Sequence, residues 1–367
     1  MEIREHVGLK NYTSFFIGGP ARYLLFAQDE QELIEGLHFA TENKLDVFVF
    51  GGGSNVLVSD SGYNGLAIRL ENVGIDILSE TDTDVVLKVA SGEVWDDVVR
   101  FACEAGFWGI ENLSHIPGFT GGIPVQNVGA YGQEASQVVT EVEAYDRTEN
   151  KIVVLANQDC QFGYRSSIFN GIQKGRYVIL HTSFKLSKVP LPNFSYGDLS
   201  KLFAEAPMQS VNLPDIRQAV IAIRNQKFPF PSSPEKGNSG SFFRGPVLDE
   251  SSFTQLVSDI EKSFGIEPKD RLQAMSDKLK VPQGYKTPAA FLIDMCGLKG
   301  QSLGGAAINS PQPAIIVNQS GDATSSDVLG LYKVVAKEVK EKTGVQLGIE
   351  PDLIGFTSEE LDSLEIT

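Results

Sequence analysis

Two glycine-rich segments in the N-terminal half constrain this chain strongly. The first is G-G-G-S-N-V-L, residues 51–57, which directly follows an apolar strand candidate. The second is I-P-G-F-T-G-G-I-P-V-Q-N-V-G-A-Y-G, residues 116–132, with five glycines and two prolines. Glycine permits positive φ angles and brings the main chain close to a ligand or to another segment. We therefore expect two irregular loops with bare backbone inside an α/β region.

The first loop lacks the third glycine of the dinucleotide fingerprint, because Val56 occupies that position, and a Rossmann fold is excluded. Its backbone N–H groups, with Ser54 and Asn55, suit a diphosphate, although a strand-to-strand turn explains this loop equally well. The second loop carries few charges, unlike most surface loops. It indicates main chain laid against a flat or anionic ligand, with Gln126 and Asn127 contacting polar edges; an irregular core crossing is the alternative.

Composition narrows the class of protein. The 367 residues predict about two or three compact units. A net charge of -16 disfavours broad attraction to nucleic acid or anionic lipid. The N-terminus lacks an apolar core segment and no run of about 18 apolar residues occurs, so we expect neither export nor membrane insertion. Cys103, Cys160 and Cys296 are far apart, which favours cytosolic thiols over disulfides or a thiolate metal site.

Several catalytic motifs are missing. The four histidines show no H-x-x-x-H or H-x-H spacing, so we expect no metal site. Residues 237–241 read G-N-S-G-S, not G-x-S-x-G, and no P-loop motif is present. These absences argue against serine hydrolases and P-loop enzymes.

Periodicity predicts the order of elements. A helix over residues 29–43 is capped by Asp29, and another over 94–105 ends at Gly106, within a β-dominated stretch from about 71 to 186. After the prolines at 189–194 helices predominate, including one ended by Gly265 and one over 324–342. The acidic end, from residue 357, is expected to fray.

Ser241 lies in G-N-S-G-S-F-F-R-G-P, residues 237–246, between a glycine and two phenylalanines. This segment is either a turn that leads into a buried strand or a support that holds one hydroxyl at a chemical centre. The residues around Ser241 alone leave both interpretations open.

The motifs taken together resemble one family. G-G-G-S-N-V-L, P-G-F-T-G-G-I-P-V-Q-N-V-G-A-Y-G, F-G-Y-R-S-S-I-F, S-Y-G-D-L, G-N-S-G-S-F-F-R-G-P and I-E-P-D occur in the order found in UDP-N-acetylenolpyruvoylglucosamine reductases (MurB). They extend from about residue 11 to 356, nearly the whole chain. S-Y-G-D-L is similar to the mobile-tyrosine loop of one subgroup of this family.

The resemblance implies an α+β protein: a FAD-binding fold of the vanillyl-alcohol-oxidase type (PCMH-type), followed by a MurB-like C-terminal α+β substrate domain. It implies non-covalent FAD, NADPH as co-substrate and a cytoplasmic step of peptidoglycan precursor synthesis, with no nucleic acid partner. The corresponding division is residues 1–70 and 71–212 for two FAD-binding subdomains, 213–322 for substrate binding, 323–356 for a helix and strand that return toward the FAD site, and 357–367 for an acidic tail.

The resemblance also implies roles for individual residues. Flavin N5 passes a hydride to the terminal enolpyruvyl carbon, Arg165 and Glu350 polarise the substrate, and Ser241 protonates the adjacent carbon. Tyr196 and Lys227 are the substrate-binding candidates. The cofactor-binding candidates are Gly51, Gly52, Gly53, Ser54, Asn55, Pro117, Gly118, Gly121, Gly122, Gln126, Asn127, Gly129, Ala130 and Tyr131.

Two positions depart from the family pattern. Gly245 and Ser302 stand where some members carry asparagine and glutamine, so uridine or sugar contacts are expected to differ, with Gln301 or Arg244 compensating.

Two other functions are alternatives to a MurB-type reductase. A flavin oxidase or dehydrogenase of the same fold should often tether its flavin through histidine or cysteine, and neither lies beside a glycine cluster. A non-catalytic FAD or sugar-nucleotide binding protein would lose the Arg, Ser and Glu set, which is present.

Overall fold

The computed structural model describes residues 1–194, 197–204 and 211–364, and the chain forms two compact units. The first unit comprises residues 1–7, 21–52 and 64–226. The second comprises residues 8–20, 53–63 and the chain from residue 227 onward. The first glycine-rich segment is thus divided: Gly51 and Gly52 belong to the first unit, and Gly53 belongs to the second.

A four-stranded sheet begins the first unit. Its helix, Glu30–Glu42, buries Leu33, Leu37 and Ala40 in the same apolar cluster as residues of the sheet. The Asp29 side chain accepts a hydrogen bond from the Glu32 N–H, which confirms the predicted cap. The strand order is Ile3–Gly8, Pro20–Ala27, Tyr63–Leu70 and Val47–Phe50, and the last two are parallel.

A five-stranded antiparallel sheet forms the larger part of the first unit. Its order is Lys151–Ala156, Val139–Asp146, Tyr177–Ser187, Asp84–Ala90 and Ile75–Glu80. The helix Trp95–Glu104 buries Trp95 completely, and Gly106, with φ +79°, follows it as predicted. The helix Leu213–Lys227 contributes Leu213, Ile216 and Val220 to the same core. The remaining elements are the helix Gly197–Leu202 and the strand pair Gly129–Ala130 and Gln133–Glu134.

The second unit is built from small sheets around a helical core. In the two strand pairs, Val56–Val58 pairs with Asp352–Ile354, and Phe243–Arg244 pairs with Gly348–Ile349. One three-stranded sheet has the order Val247–Leu248, Gly284–Lys286, Lys280–Val281. The other has the order Ser302–Leu303, Ala306–Ile308, Ile316–Asn318. The helices are Glu250–Phe264, Ile266–Ala274, Ser276–Leu279, Ala289–Met295, Ser325–Thr343 and Ser358–Asp362. Over the three described ranges, no helix has the length and apolarity needed to cross a membrane.

The core of the second unit is centred on the helix Ser325–Thr343, which is capped by Thr324. Tyr332 of this helix is buried, and its hydroxyl donates to the Leu347 carbonyl at 2.7 Å. Phe243 stacks against Tyr332 with ring centroids 5.7 Å apart, and Phe242 packs beside both. The two phenylalanines after Ser241 therefore anchor that segment in the core.

The acidic end differs from expectation. It was predicted to fray, but residues Ser358–Asp362 form a helical turn. Thr357 and Glu360 explain the difference, because each side chain accepts the other residue's backbone N–H in a capping box. The capping box therefore stabilises a helical turn in a segment for which composition alone predicts no ordered structure.

Asp146 gives the first unit a predicted sensitivity to acid. Its buried carboxylate accepts hydrogen bonds from the Arg176 guanidinium and from the N–H groups of Thr148 and Glu149. The bonds from Arg176, with these backbone donors, lower the pKa of Asp146 to about 2. A folded-state pKa below the unfolded value stabilises the protein above the unfolded pKa, and this stabilisation is lost as pH falls from about 4 to about 2.

We expect Asp146→Asn to lower the free energy of unfolding at neutral pH and to remove part of its decline in acid. Urea unfolding of both proteins at a series of pH values measures this effect. Two curves that stay parallel from neutral pH to about pH 2 would show that the Asp146 pair contributes nothing to acid sensitivity.

Candidate active site

The two glycine-rich segments meet within the first unit. A side-chain carbon at Gly52 would lie 2.7 Å from the Gly118 Cα, and one at Gly51 would lie 2.9 Å from the Phe119 Cβ. Such contacts leave no room for a side chain at either glycine, and at Gly52 the two backbones face each other directly. The two glycine-rich loops therefore pack against each other.

The start of the second loop is held by a polar network around His115. His115 has a left-handed backbone, with φ +60°, and its N–H donates to Asp96 at 2.5 Å. Asp96 pairs with Arg217 through two bonds of 2.7 and 2.8 Å. Burial favours a higher pKa for Asp96, but the bonds from Arg217 and His115 outweigh burial and lower it. The Arg224 Nε donates to the His115 carbonyl at 2.8 Å, which fixes the loop from its other side.

The end of the second loop rests on buried polar residues that sequence reasoning missed. Asn112 is fully buried, and its Nδ2 donates to the Tyr131 carbonyl at 2.9 Å. Its N–H donates to Gln133, whose amide in turn donates to Glu111 at 2.7 Å. Burial raises the pKa of Glu111. Polar residue types are usually read as surface, so their role is visible only once their burial is known.

Asn127 serves the protein itself. Its side-chain amide donates to the Gly163 carbonyl at 3.0 Å and to Glu134 at 3.1 Å, and its Oδ1 accepts the Ser136 N–H at 2.9 Å. Only 3 % of the residue is exposed. The sequence prediction had this side chain contact a ligand edge, whereas the structure uses it to join the loop to the segment that carries Arg165.

Arg165 lies at the tip of a tight turn. Gly163 and Ser166 pair across it, with a 2.9 Å bond from the Gly163 N–H to the Ser166 carbonyl. Arg165 has a left-handed backbone, with φ +52°, and its carbonyl accepts from the Asn170 Nδ2 at 3.1 Å. Arg165 is half-buried, whereas its neighbour Tyr164 is 41 % exposed. The turn therefore fixes the backbone from which the Arg165 side chain extends, and Arg165 itself stays partly accessible.

Ser241 and Glu350, distant in sequence, are adjacent in the second unit. Strand Phe243–Arg244 pairs with strand Gly348–Ile349, and beyond the paired residues the Glu350 N–H donates to the Phe242 carbonyl at 2.9 Å. Ser241 directly precedes Phe242, and both Ser241 and Glu350 are half-buried. This pairing brings the two predicted catalytic segments side by side.

The second half of the first glycine-rich segment joins this group. The Asp352 N–H donates to the Asn55 carbonyl at 3.0 Å, and strand Asp352–Ile354 runs parallel to Val56–Val58. Just after Glu350, the chain therefore enters a strand that pairs with the strand following the glycines. Gly53 has φ +60°, and Ser54 and Asn55 are half-buried.

The remaining candidates are Lys227, Tyr196 and several residues of the second loop. Lys227 ends its helix, and its carbonyl accepts from the Asn309 Nδ2 at 2.9 Å. Tyr196 lies outside the described residues. A side-chain carbon at Gly121 would lie 2.8 Å from Ser91, whereas one at Gly122 would meet no atom of the described residues within 4 Å, its chain neighbours aside. The other second-loop candidates, all half-buried, are Pro117, Gln126, Gly129, Ala130 and Tyr131.

Comparison with known proteins matches this architecture. A family profile described as "FAD binding domain" matches residues 21–155, and one described as "UDP-N-acetylenolpyruvoylglucosamine reductase, C-terminal domain" matches residues 233–354. A crystal structure of MurB from Thermus caldophilus superposes with a TM-score of 0.64 at 23 % identity, covering 96 % of this chain and all of that one. The predicted α+β fold, a FAD-binding domain followed by a MurB-type C-terminal domain, is confirmed.

Sequence relatives give the family. UDP-N-acetylenolpyruvoylglucosamine reductase of Neisseria meningitidis serogroup A is 37 % identical over 95 % of this chain and 97 % of its own length. The enzymes of that name from Flavobacterium johnsoniae and Pseudomonas aeruginosa are 36 % and 34 % identical, each over 96 % of this chain. At this identity over nearly its full length, the chain belongs to the UDP-N-acetylenolpyruvoylglucosamine reductase family.

Proposed function

We propose that this protein reduces UDP-N-acetylglucosamine enolpyruvate to UDP-N-acetylmuramate with NADPH, using non-covalently bound FAD, in peptidoglycan precursor synthesis. Family membership gives the reaction, and one observation carries the assignment to residues. The bond from the Glu350 N–H to the Phe242 carbonyl brings the Glu350 and Ser241 segments together, beside the strand that follows the first glycine loop. The relatives' shared name favours this function over an oxidase or a non-catalytic binding protein.

The glycine loops suit FAD. In the first unit Gly52 and Gly118 bring two stretches of bare main chain together, which is the kind of surface that a diphosphate or a flat ring requires. Gly122 is consistent with this assignment, because no contact with the described residues requires a glycine there. We assign the first loop, residues 51–55, and the second, residues 117–131, to cofactor binding. FAD bound there would supply the hydride transfer from NADPH to the enolpyruvyl ether.

The substrate's chemistry defines what the side chains must do. Hydride addition to the terminal carbon breaks the C=C π bond and leaves an electron pair on the neighbouring carbon. That charge spreads into the attached carboxylate as an enolate, and a proton must then reach the neighbouring carbon. The overall reaction consumes one hydride and one proton, so the site needs a cation, hydrogen-bond donors and an acid.

Ser241 is the proposed acid. Its hydroxyl gives a proton to the carbon next to the carboxylate and regains one from water. A serine hydroxyl is a weak acid, so it must be held in place while the alkoxide is stabilised. The positive φ of Gly240, +74°, and the burial of Phe242 and Phe243 hold Ser241 at one position in the second unit.

Arg165 and Glu350 are the proposed polarising groups. Arg165 keeps its charge and offers a planar fork of donors that matches a carboxylate, and its turn is tied to the second glycine loop through Asn127. Glu350 is the second polarising group, which acts as a protonated acid or through water. Lys227 and Tyr196 are proposed to contact the substrate phosphates.

The proposed location is the cytoplasm. All three cysteines, Cys103, Cys160 and Cys296, are free thiols and buried, which agrees with a reducing compartment. Burial raises the pKa of the Cys103 and Cys160 thiols to about 12, so they stay protonated and unreactive near neutral pH.

Product isotope content tests the reaction. With unlabelled NADPH in deuterated water, we expect a product that carries solvent deuterium on the carbon next to the carboxylate. NMR and mass spectrometry locate the label, so deuterium that reaches the terminal carbon through solvent exchange at the flavin is counted separately. Failure of the purified protein with FAD to form UDP-N-acetylmuramate would refute the proposed function.

Two alanine substitutions separate ligand contact from loop packing. In Gly122→Ala the new carbon meets none of the described residues beyond its chain neighbours, so we expect stability within about 0.5 kcal/mol of wild type but FAD binding weakened about tenfold or more. In Gly52→Ala it collides with the Gly118 backbone, so we expect a loss of roughly 1–3 kcal/mol in stability together with weaker FAD binding.

Thermal unfolding of the apoprotein and quenching of flavin fluorescence measure the two quantities separately. Wild-type FAD affinity in Gly122→Ala would remove that glycine from the cofactor site, whatever happens in Gly52→Ala.

A further inference from the structure

Residues 12–16 lie between two segments of the proposed site, and we call them the bridging segment. A side-chain carbon at Gly53 would collide with the Tyr12 carbonyl oxygen, and one at Gly237 would collide with the Phe15 carbonyl oxygen. The bridging segment therefore packs directly against the first glycine loop and against the start of the Ser241 segment. All of these residues belong to the second unit.

Ser14 contacts both segments through hydrogen bonds. Its N–H donates to the Gly53 carbonyl at 3.0 Å. Its hydroxyl donates to the Asn238 carbonyl at 2.6 Å, and its own carbonyl accepts the Asn238 N–H at 3.0 Å. Ser14 is only 9 % exposed, so these bonds are made away from bulk water.

Asn238 carries the connection on to Ser241. Its Nδ2 donates to the Pro229 and Lys236 carbonyls at 2.8 Å each, and its Oδ1 accepts the Gly240 N–H at 2.9 Å. Gly240 adopts its left-handed conformation immediately before Ser241. A continuous path of hydrogen bonds thus joins Gly53, through Ser14 and Asn238, to the residue that precedes Ser241.

Aromatic packing restricts the same segment. The Phe15 and Phe242 rings are both fully buried and meet edge to face, with centroids 6.3 Å apart and planes at 86°. Hydrogen bonds and ring packing therefore both restrain the bridging segment, which leaves Ser14 little room to shift.

We propose that Ser14 is a positioning residue that sets the spacing between the first glycine loop and the Ser241 turn. This inference rests on the proposed function. Loss of the hydroxyl leaves the buried Asn238 carbonyl with one partner fewer and loosens the link to Gly240. Cofactor affinity and proton delivery depend on the same residue, although Ser14 performs no chemistry.

The test compares three variants. Ser14→Ala removes the hydroxyl, and Ser14→Thr keeps it. Thr343→Ala is the matched control in the same unit, because the Thr343 hydroxyl is buried and donates to the Val339 carbonyl at 2.7 Å, within its own helix. Should Ser14→Ala fail to fold, Ser14→Cys, with a weaker donor of similar size, replaces it.

We expect Ser14→Ala to weaken FAD binding to the apoprotein about tenfold, as measured by flavin fluorescence. Oxidation of the reduced protein by UDP-N-acetylglucosamine enolpyruvate should slow about 10- to 100-fold, with a larger solvent deuterium isotope effect. Reduction by NADPH should change much less. Ser14→Thr should recover most of both losses, and Thr343→Ala should match wild type in both.

Equal FAD affinity and equal oxidation rates in Ser14→Ala and Thr343→Ala would overturn the inference. A wild-type protein that binds FAD but is never oxidised by the enolpyruvate substrate would refute the proposed function instead. In that case the inference fails as an account of proton delivery, and the fluorescence comparison decides whether Ser14 still supports cofactor binding.

Discussion

Replacing Ser241 with alanine is expected to leave the flavin spectrum and reduction by NADPH intact while slowing oxidation by UDP-N-acetylglucosamine enolpyruvate roughly 10²- to 10⁴-fold, the usual contribution of a general acid. The substitution removes one hydroxyl from a half-buried position and leaves the Phe242 and Phe243 anchors in place. Binding of cofactor and substrate should therefore persist. Stopped-flow absorbance of the flavin separates the reductive step from the oxidative step.

Ser239 provides the matched control for Ser241. It lies two residues earlier, is 4 % exposed, and its hydroxyl has no hydrogen-bond partner within the described part of the chain. Ser239→Ala should therefore retain the wild-type oxidation rate. Oxidation of Ser241→Ala as fast as that of Ser239→Ala would remove Ser241 from the proton-transfer step.

The second large effect is expected at Arg165. Arg165→Lys keeps the positive charge but loses the planar fork of donors, and we expect kcat to fall roughly 10²- to 10³-fold. Both residue types meet the same backbone constraint at φ +52°, so the turn itself should survive. FAD absorbance and thermal unfolding should stay close to wild type, because the Asn127 and Asn170 bonds involve carbonyl oxygens of the turn rather than the guanidinium.

Arg100→Lys controls for the general effect of this substitution. Arg100 pairs with Asp97 on the surface of its helix, at 2.9 Å, with both side chains 55 % exposed, and such pairs contribute little. Its kcat should equal that of wild type. A kcat for Arg165→Lys within about twofold of this control would show that a point charge is sufficient at residue 165.

The longer elements of the fold were predictable because their signals are local. Asp29 and Thr324 cap the helices that their sequences predicted, and Gly265 ends another. The short strands of the second unit were not predictable, because a two-residue strand such as Gly348–Ile349 has no periodicity. The helix at the acidic end was not predicted, because the acidic composition indicated a frayed tail, whereas the capping box stabilises a helical turn there.

The site was predictable in part. The two glycine clusters predicted bare main chain in both loops, whereas the direct contact between Gly52 and Gly118 is visible only in the structure. The adjacency of Ser241 and Glu350 depends on strand pairing between distant segments, which sequence alone does not show. Ser14 and Asn112 were missed for a similar reason: both are polar residues whose importance comes from burial and long-range hydrogen bonds.

The flavin's own colour tests the proposed function most directly. Purified protein with FAD should show an oxidised flavin spectrum, bleach when NADPH is added without oxygen, and regain its colour when UDP-N-acetylglucosamine enolpyruvate follows. Bleaching that the enolpyruvyl sugar nucleotide fails to reverse, while oxygen reverses it, would contradict the assignment of this chain as a reductase of that substrate.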